Sequence, residues 1–154
     1  MIYKDSKEFL LKEGLIKKCP VNSKAINNLL NRARTDLKTA RRNLELDEEC
    51  AYNYAYNSLL RSGLALMSSL GFRPDIKDKH LTVVRFASAI LGNEFKQLIN
   101  DYDFMRKKRH RFIYEPDIPC SRKEAKDAIK TAEEFVNKIS ALISAENPQY
   151  KFKF

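Results

Sequence analysis

Apolar residues recur along this chain at three- and four-residue steps, and no stretch shows the two-residue alternation of a half-buried strand. The pattern predicts an all-α fold, an up-and-down bundle of five to six helices. Asp5 or Ser6 stands where it can cap a first short helix running to about Lys18, with Pro20 ending it. Asn22 or Ser23 opens the second helix. Its apolar positions Ile26, Leu30, Ala33, Leu37, Ala40 and Leu44 trace the narrow seam of a helix packed nearly antiparallel to a neighbour. Asp47, followed by Glu48 and Glu49, offers a capping oxygen and two charges that suit a helix N-terminus, so a third helix runs from there to about Leu70 and stops at Gly71. Within it Ala51, Ala55, Ser58, Ser62, Ala65 and Ser69 form a stripe of small residues. Such a stripe lets another helix come close, inside the bundle or across a dimer, and the internal reading is favoured because a central helix packs on several neighbours.

Phe72 to Lys77 reads as a turn containing Pro74, and Asp78 is positioned to cap a fourth helix through about Leu91. Gly92-Asn93 breaks it. A fifth helix runs from Glu94 to about Arg111 and buries Phe95, Leu98, Tyr102 and Met105. Pro116 and Pro119 stiffen the next loop, and Ser121 with Glu124 forms a capping box for the last helix. There Ala125, Ala128, Ala132, Phe135, Ile139 and Leu142 repeat the narrow seam. The expected organisation is a short N-terminal helix or extension over 1–21, a bundle over 22–146 and a tail over 147–154, frayed or docked on a neighbour.

Composition narrows the function classes. Lys and Arg number 29 against 20 Asp and Glu in 154 residues, a formal net charge of +9. That excess favours acidic partners, nucleic acid or nucleotide first among them. Three cysteines, Cys19, Cys50 and Cys120, are an odd count without C-x-x-C spacing, which fits reduced thiols and a cytoplasmic location. No apolar run approaches the roughly 20 residues that cross a bilayer, so no membrane partner is expected. Neither His80 nor His110 has a Glu three residues before it, and zinc spacing and a glycine-rich phosphate loop are both missing, so neither a metal nor a cofactor is expected.

The charge is concentrated in one place. Arg106, Lys107, Lys108, Arg109 and Arg111 surround His110, between Phe104 and Met105 on one side and Phe112 and Ile113 on the other. Apolar residues on both flanks put the run on an ordered element. Asp103, Arg106 and His110 share one helix face, which Tyr114 continues if the helix persists that far, and Arg109 lies about 100° from His110. Cations complement a helix C-terminus, but four in a row exceed what the dipole needs and repel one another unless an anion sits nearby. Arg106 and Arg109 can grip phosphate with planar, two-pronged contacts, with Lys107 and Arg111 beside them. His110 is the ordinary acid–base residue type at neutral pH, and Asp103 can hold an arginine or the histidine in place. Tyr52, Tyr54 and Tyr56 cannot share one helix face and read as core and interface packing. His80 reads as a surface or interface residue.

Arg109-His110-Arg111-Phe112-Ile113-Tyr114 resembles the motif of the HEPN superfamily, written Arg, then Asn, Asp or His, then three residues, then His. The resemblance extends over about residues 22 to 145. It includes Ala51-Tyr52-Asn53-Tyr54-Ala55-Tyr56-Asn57, Gly63-Leu64-Ala65-Leu66, Gly71-Phe72-Arg73-Pro74 and Lys79-His80-Leu81. It implies a helical bundle that forms a homodimer with the motif residues facing each other. Many such proteins are metal-independent ribonucleases of toxin–antitoxin and other defence systems, and others pair with minimal nucleotidyltransferases. By this likeness Arg109, His110 and Tyr114 are the catalytic candidates and Asp103, Arg106, Lys107 and Arg111 the substrate-binding ones. Tyr114 stands where the motif has His. A tyrosine hydroxyl titrates near pH ~10 and is a poor base at neutral pH. The expectation is therefore RNA or nucleotide binding at a dimer cleft, with at most a weakened ribonuclease activity. The alternative is a non-catalytic interaction domain for a nucleotidyltransferase partner.

Overall fold

The computed structural model describes residues 5–146. Six α-helices carry the fold: α1 (Lys7–Lys12), α2 (Ser23–Asn43), α3 (Glu48–Ser69), α4 (Lys79–Leu91), α5 (Lys96–Tyr114) and α6 (Arg122–Glu146). Four of the expected starts are capped as their sequences dictate, Ser6 of α1 accepting from the backbone N–H of Phe9 at 3.0 Å. The side chains of Asn22 and Asp47 accept from the backbone N–H groups of Ala25 and Cys50, each at 3.0 Å. Ser121 and Glu124 exchange the two bonds of a capping box, at 3.0 and 3.4 Å.

Three expectations need correction. The first helix ends at Lys12, not near Lys18, because Gly14 takes a left-handed φ of 73° and turns the chain. The residues beyond it form a short strand, β1 (Ile16–Lys18), paired antiparallel with β2 (Phe72–Pro74) so that Ile16 faces Pro74 and Lys18 faces Phe72. Asp78 precedes α4 but makes no capping hydrogen bond, since its backbone is left-handed (φ 53°) where Asn22 and Asp47 are extended. Helix α5 begins later and ends later than its sequence suggested. A 3-10 turn over Asn93–Phe95 leaves Phe95 only partly buried, and the helix continues through Tyr114. The expected tail, 147–154, lies outside the described residues.

The core forms around α3, which packs on α2, α4, α5 and α6. Every member of its small-residue stripe is buried within the chain, from Ala51 to Ser69. The N-terminal segment adds Leu10 and Ile16 to the same core. An edge-to-face chain of rings binds three helices: Tyr56 of α3 meets Tyr102 of α5 at 6.1 Å between centroids, and Tyr102 meets Phe135 of α6 at 5.1 Å. Buried Asp36 of α2 accepts from Arg61 of α3 at 2.6 Å, and desolvation raises its pKa despite the arginines around it.

Gly63 sets the distance between α3 and α4. A Cβ there would lie 2.4 Å from Cγ1 of Val83, which is fully buried. Tyr56 lies two turns before Gly63 on α3, and His80 one turn before Val83 on α4, so the same close approach brings Tyr56 and His80 together. Alanine at position 63 would gain about 1 kcal/mol of helix propensity, against an overpacking cost of about 1–3 kcal/mol. Gly63→Ala is expected to lower stability in urea denaturation, and adding Val83→Ala is expected to reverse the sign of the Gly63→Ala effect.

Candidate nucleic-acid interface at the end of helix α5

The basic run fills the last two turns of α5, and most of its charge is met from within the chain. Asp103, fully buried, accepts from Nε of Arg106 at 2.8 Å and pairs with Nζ of Lys107 at 3.2 Å. Lys108 pairs with Glu124 at 3.1 Å and lies over the ring of Phe112. Arg111, exposed, pairs with Glu115 at 3.1 Å. These three carboxylates offset much of the repulsion that the sequence alone assigned to an external anion.

Arg109 is different. No ion pair joins it to any described residue. Its guanidinium lies over the ring of Tyr56, 5.3 Å from the centroid, in a cation–π contact that fixes the cation without neutralising it. The ring of His110 packs on that of Tyr114 with centroids 4.5 Å apart, and both residues are exposed, Tyr114 at 70%. Six of the seven candidate residues therefore fall into three groups: Asp103 with Arg106 and Lys107, Arg109 on Tyr56, and His110 with Tyr114. Arg111 stands apart on Glu115.

The arrangement includes two residues outside those seven. Tyr56, fully buried, sits with its hydroxyl 2.8 Å from Nδ1 of His80, and the two ring planes lie within 6° of parallel. His80, expected at the surface or at an interface, is half-buried at the start of α4. Burial lowers its pKa, and the charges of Arg109, Lys79 and Arg106 lower it further. Burial likewise pushes the Tyr56 phenol up, only partly offset by Arg109 and Arg106, so it remains a neutral hydrogen-bonding group. The pairing could not be read from helical spacing because Tyr56 and His80 lie on different helices. Its trace in the sequence was that both residues fall in segments that resemble the same family.

The model of the HEPN domain matches residues 26–142, more than two thirds of the chain. The chain belongs to the HEPN family. No curated protein and no solved structure matches it significantly. HEPN domains are a nucleotide-binding, ribonuclease-like family whose members commonly dimerise. In this HEPN chain the end of α5 carries the expected cations, and Tyr114 is exposed on its last turn. No group of residues suited to a metal ion occurs among the described residues, nor is any described helix long and apolar enough to cross a membrane.

Two predictions follow from the geometry of the cluster. The first concerns pH. In an unfolded chain His80 titrates near 6.5, and folding lowers that value. Above about 6.5 both states hold the ring neutral. Below it the unfolded chain binds a proton that the folded chain resists, so stability falls as pH drops through and below about 6.5. Denaturation midpoints measured from pH 8 to pH 5 are expected to decline with falling pH, with a shallower slope in His80→Gln. The second concerns Asp103. Asp103→Asn removes the charge that holds Arg106 and Lys107 and is expected to cost on the order of 2 kcal/mol in the same assay.

Proposed function

We propose that this HEPN protein binds RNA or nucleotide through the basic end of α5, as a homodimer whose clefts face each other, in the cytoplasm. Any ribonuclease activity is metal-independent and weakened by Tyr114 at the motif position, and the biological setting is a toxin–antitoxin or other defence module. The observation that carries the reading is Arg109. Its guanidinium is fixed on Tyr56 yet carries an uncompensated charge, so little side-chain freedom is lost when phosphate binds. Arg106, anchored on Asp103, supports it, and Lys107 and Arg111 extend the positive surface. On this reading Arg109, His110 and Tyr114 line the reacting ribose-phosphate, with His110 and Tyr114 orienting or protonating it.

A second reading is favoured by one feature. Phe104, Ile113 and Tyr114 are large apolar or aromatic side chains exposed at 63%, 58% and 70% on the same helix. They suit a non-catalytic domain that docks on a minimal nucleotidyltransferase.

Retention of a labelled structured RNA, measured without metal at several salt concentrations, separates the two. RNA binding is expected to weaken steeply with salt. Arg109→Ala is expected to weaken it about 10-fold or more and to flatten the salt slope by about one. Salt-insensitive or undetectable retention would sink the RNA reading in favour of the docking domain. Tyr114→His, incubated with the same RNA, is expected to cleave it faster than the wild type.

A further inference from the structure

The cluster formed by Tyr56, His80 and Arg109 joins α3, α4 and α5, and the motif at the end of α5 accounts for Arg109 alone. The Tyr56 ring is its shared element, with the Arg109 guanidinium over it and the His80 ring hydrogen-bonded to its hydroxyl. With Nδ1 engaged by Tyr56, Nε2 is the ring nitrogen left to meet a ligand. The exposed imidazole of the motif, His110, is packed on Tyr114 instead.

We propose that His80, oriented by Tyr56, contacts the ribose beside the phosphate held by Arg109 and is the base for whatever RNA cleavage this protein performs. The proposal rests on the RNA-binding reading above and assigns the reacting proton to a residue outside the motif. In the tautomer it requires, Nδ1–H donates to the Tyr56 hydroxyl oxygen and Nε2 carries the lone pair. Nε2 takes the proton of a 2′-hydroxyl, the 2′-oxygen forms a bond to phosphorus, and the bond from phosphorus to the 5′-oxygen breaks. The departing 5′-oxygen takes a proton from solvent, directly or passed on by the His110 and Tyr114 side chains. The products are a 2′,3′-cyclic phosphate and a 5′-hydroxyl, and His80 returns its proton to solvent.

The electrostatics of the cluster support this order of events. In the free protein burial first, then the charges of Arg109, Lys79 and Arg106, disfavour the protonated ring. Asp103 is the other charged group that acts on Tyr56 and is already committed to Arg106 and Lys107, while Tyr102 meets the Tyr56 ring edge-on. A phosphate bound to Arg109 would offset the opposing positive field, so His80 becomes a stronger base once RNA is in place. The Tyr56 hydroxyl oxygen accepts the hydrogen bond from Nδ1–H throughout and so steadies the imidazolium that forms. Tyr56 is thus a positioning residue, and His80 the one that touches substrate.

The test has two arms on the full chain. In the first, the His80 ring is titrated by NMR with and without a 2′-deoxy oligonucleotide that cannot be cleaved. Its titration is expected to move to higher pH when the oligonucleotide binds. In the second, metal-free RNA cleavage is followed in wild type, His80→Gln and Tyr56→Phe. His80→Gln is expected to lose at least about 100-fold in cleavage rate with RNA retention changed less than about threefold. Tyr56→Phe is expected to move the acid limb of the rate profile. Cleavage by His80→Gln at the wild-type rate, or a His80 titration unmoved by bound oligonucleotide, would overturn the proposal. RNA retention without any cleavage by the wild type overturns the base role alone and leaves the binding function standing. Absence of retention overturns the binding function itself. If His80→Gln fails to fold, the NMR arm on wild type still decides.

Discussion

The hydrogen bond between the Tyr56 hydroxyl and His80 Nδ1 is the contact on which the candidate site depends. Tyr56 is buried among side chains from α4 and α5, and a buried phenol needs a partner for its hydroxyl. His80 provides it. The same ring also carries the Arg109 guanidinium and meets Tyr102 edge-on. Three helices are therefore referenced to one side chain. The spacing between α3 and α4 at Gly63 is what allows it, because a bulkier residue there would push Val83, and with it the start of α4, away from Tyr56.

Charge is distributed around this contact in a way that composition does not reveal. A net charge of +9 invites the picture of a diffuse basic surface. On α5, however, Lys107, Lys108 and Arg111 each have a carboxylate within salt-bridge distance. The exposed pair of Arg111 with Glu115 is worth little in stability, but all three pairs reduce the local field. Arg109, held by a ring, keeps its full charge. Under the proposed reading, affinity for a phosphate is concentrated in Arg109 with support from Arg106, whose side chains are already held, rather than spread over the run.

Much of the fold was legible because its signals are local. Asn22, Asp47 and the Ser121–Glu124 pair cap helices whose starts they marked in the sequence. The seams of α2 and α6 are buried nearly as their spacing required. What escaped was either too short or too distant. Strands β1 and β2 have three residues each and pair across α2 and α3, so no window along the sequence could show them. The α1 overrun came from reading through Gly14, whose left-handed backbone ends the helix before Pro20 can. At the site, Asp103 and Arg106 are three residues apart on one helix, and their pairing follows from helical geometry. The link between Tyr56 and His80 joins different helices, and a lone histidine near a helix start carries no local mark of its partner.

The division between the two histidines separates an exposed pair of rings from a half-buried, hydrogen-bonded one. His110 and Tyr114 lie on the exposed last turn of α5, packed on each other, where only a partner surface or a ligand could fix them. His80 is half-buried, hydrogen-bonded and already within the field of the arginines. A group that must meet a reacting atom with sub-ångström precision is better served by the second environment, because its orientation is set before substrate arrives. That precision has a structural cost. His80 is held only as firmly as α3 and α4 are packed, so a change at Gly63 or Val83 that loosened the two helices would degrade the geometry of the site even if the fold survived. Altering the exposed residues at the end of α5 would leave that geometry intact. Under the proposed reading, the chemistry of this HEPN domain is thereby coupled to its core rather than to its surface.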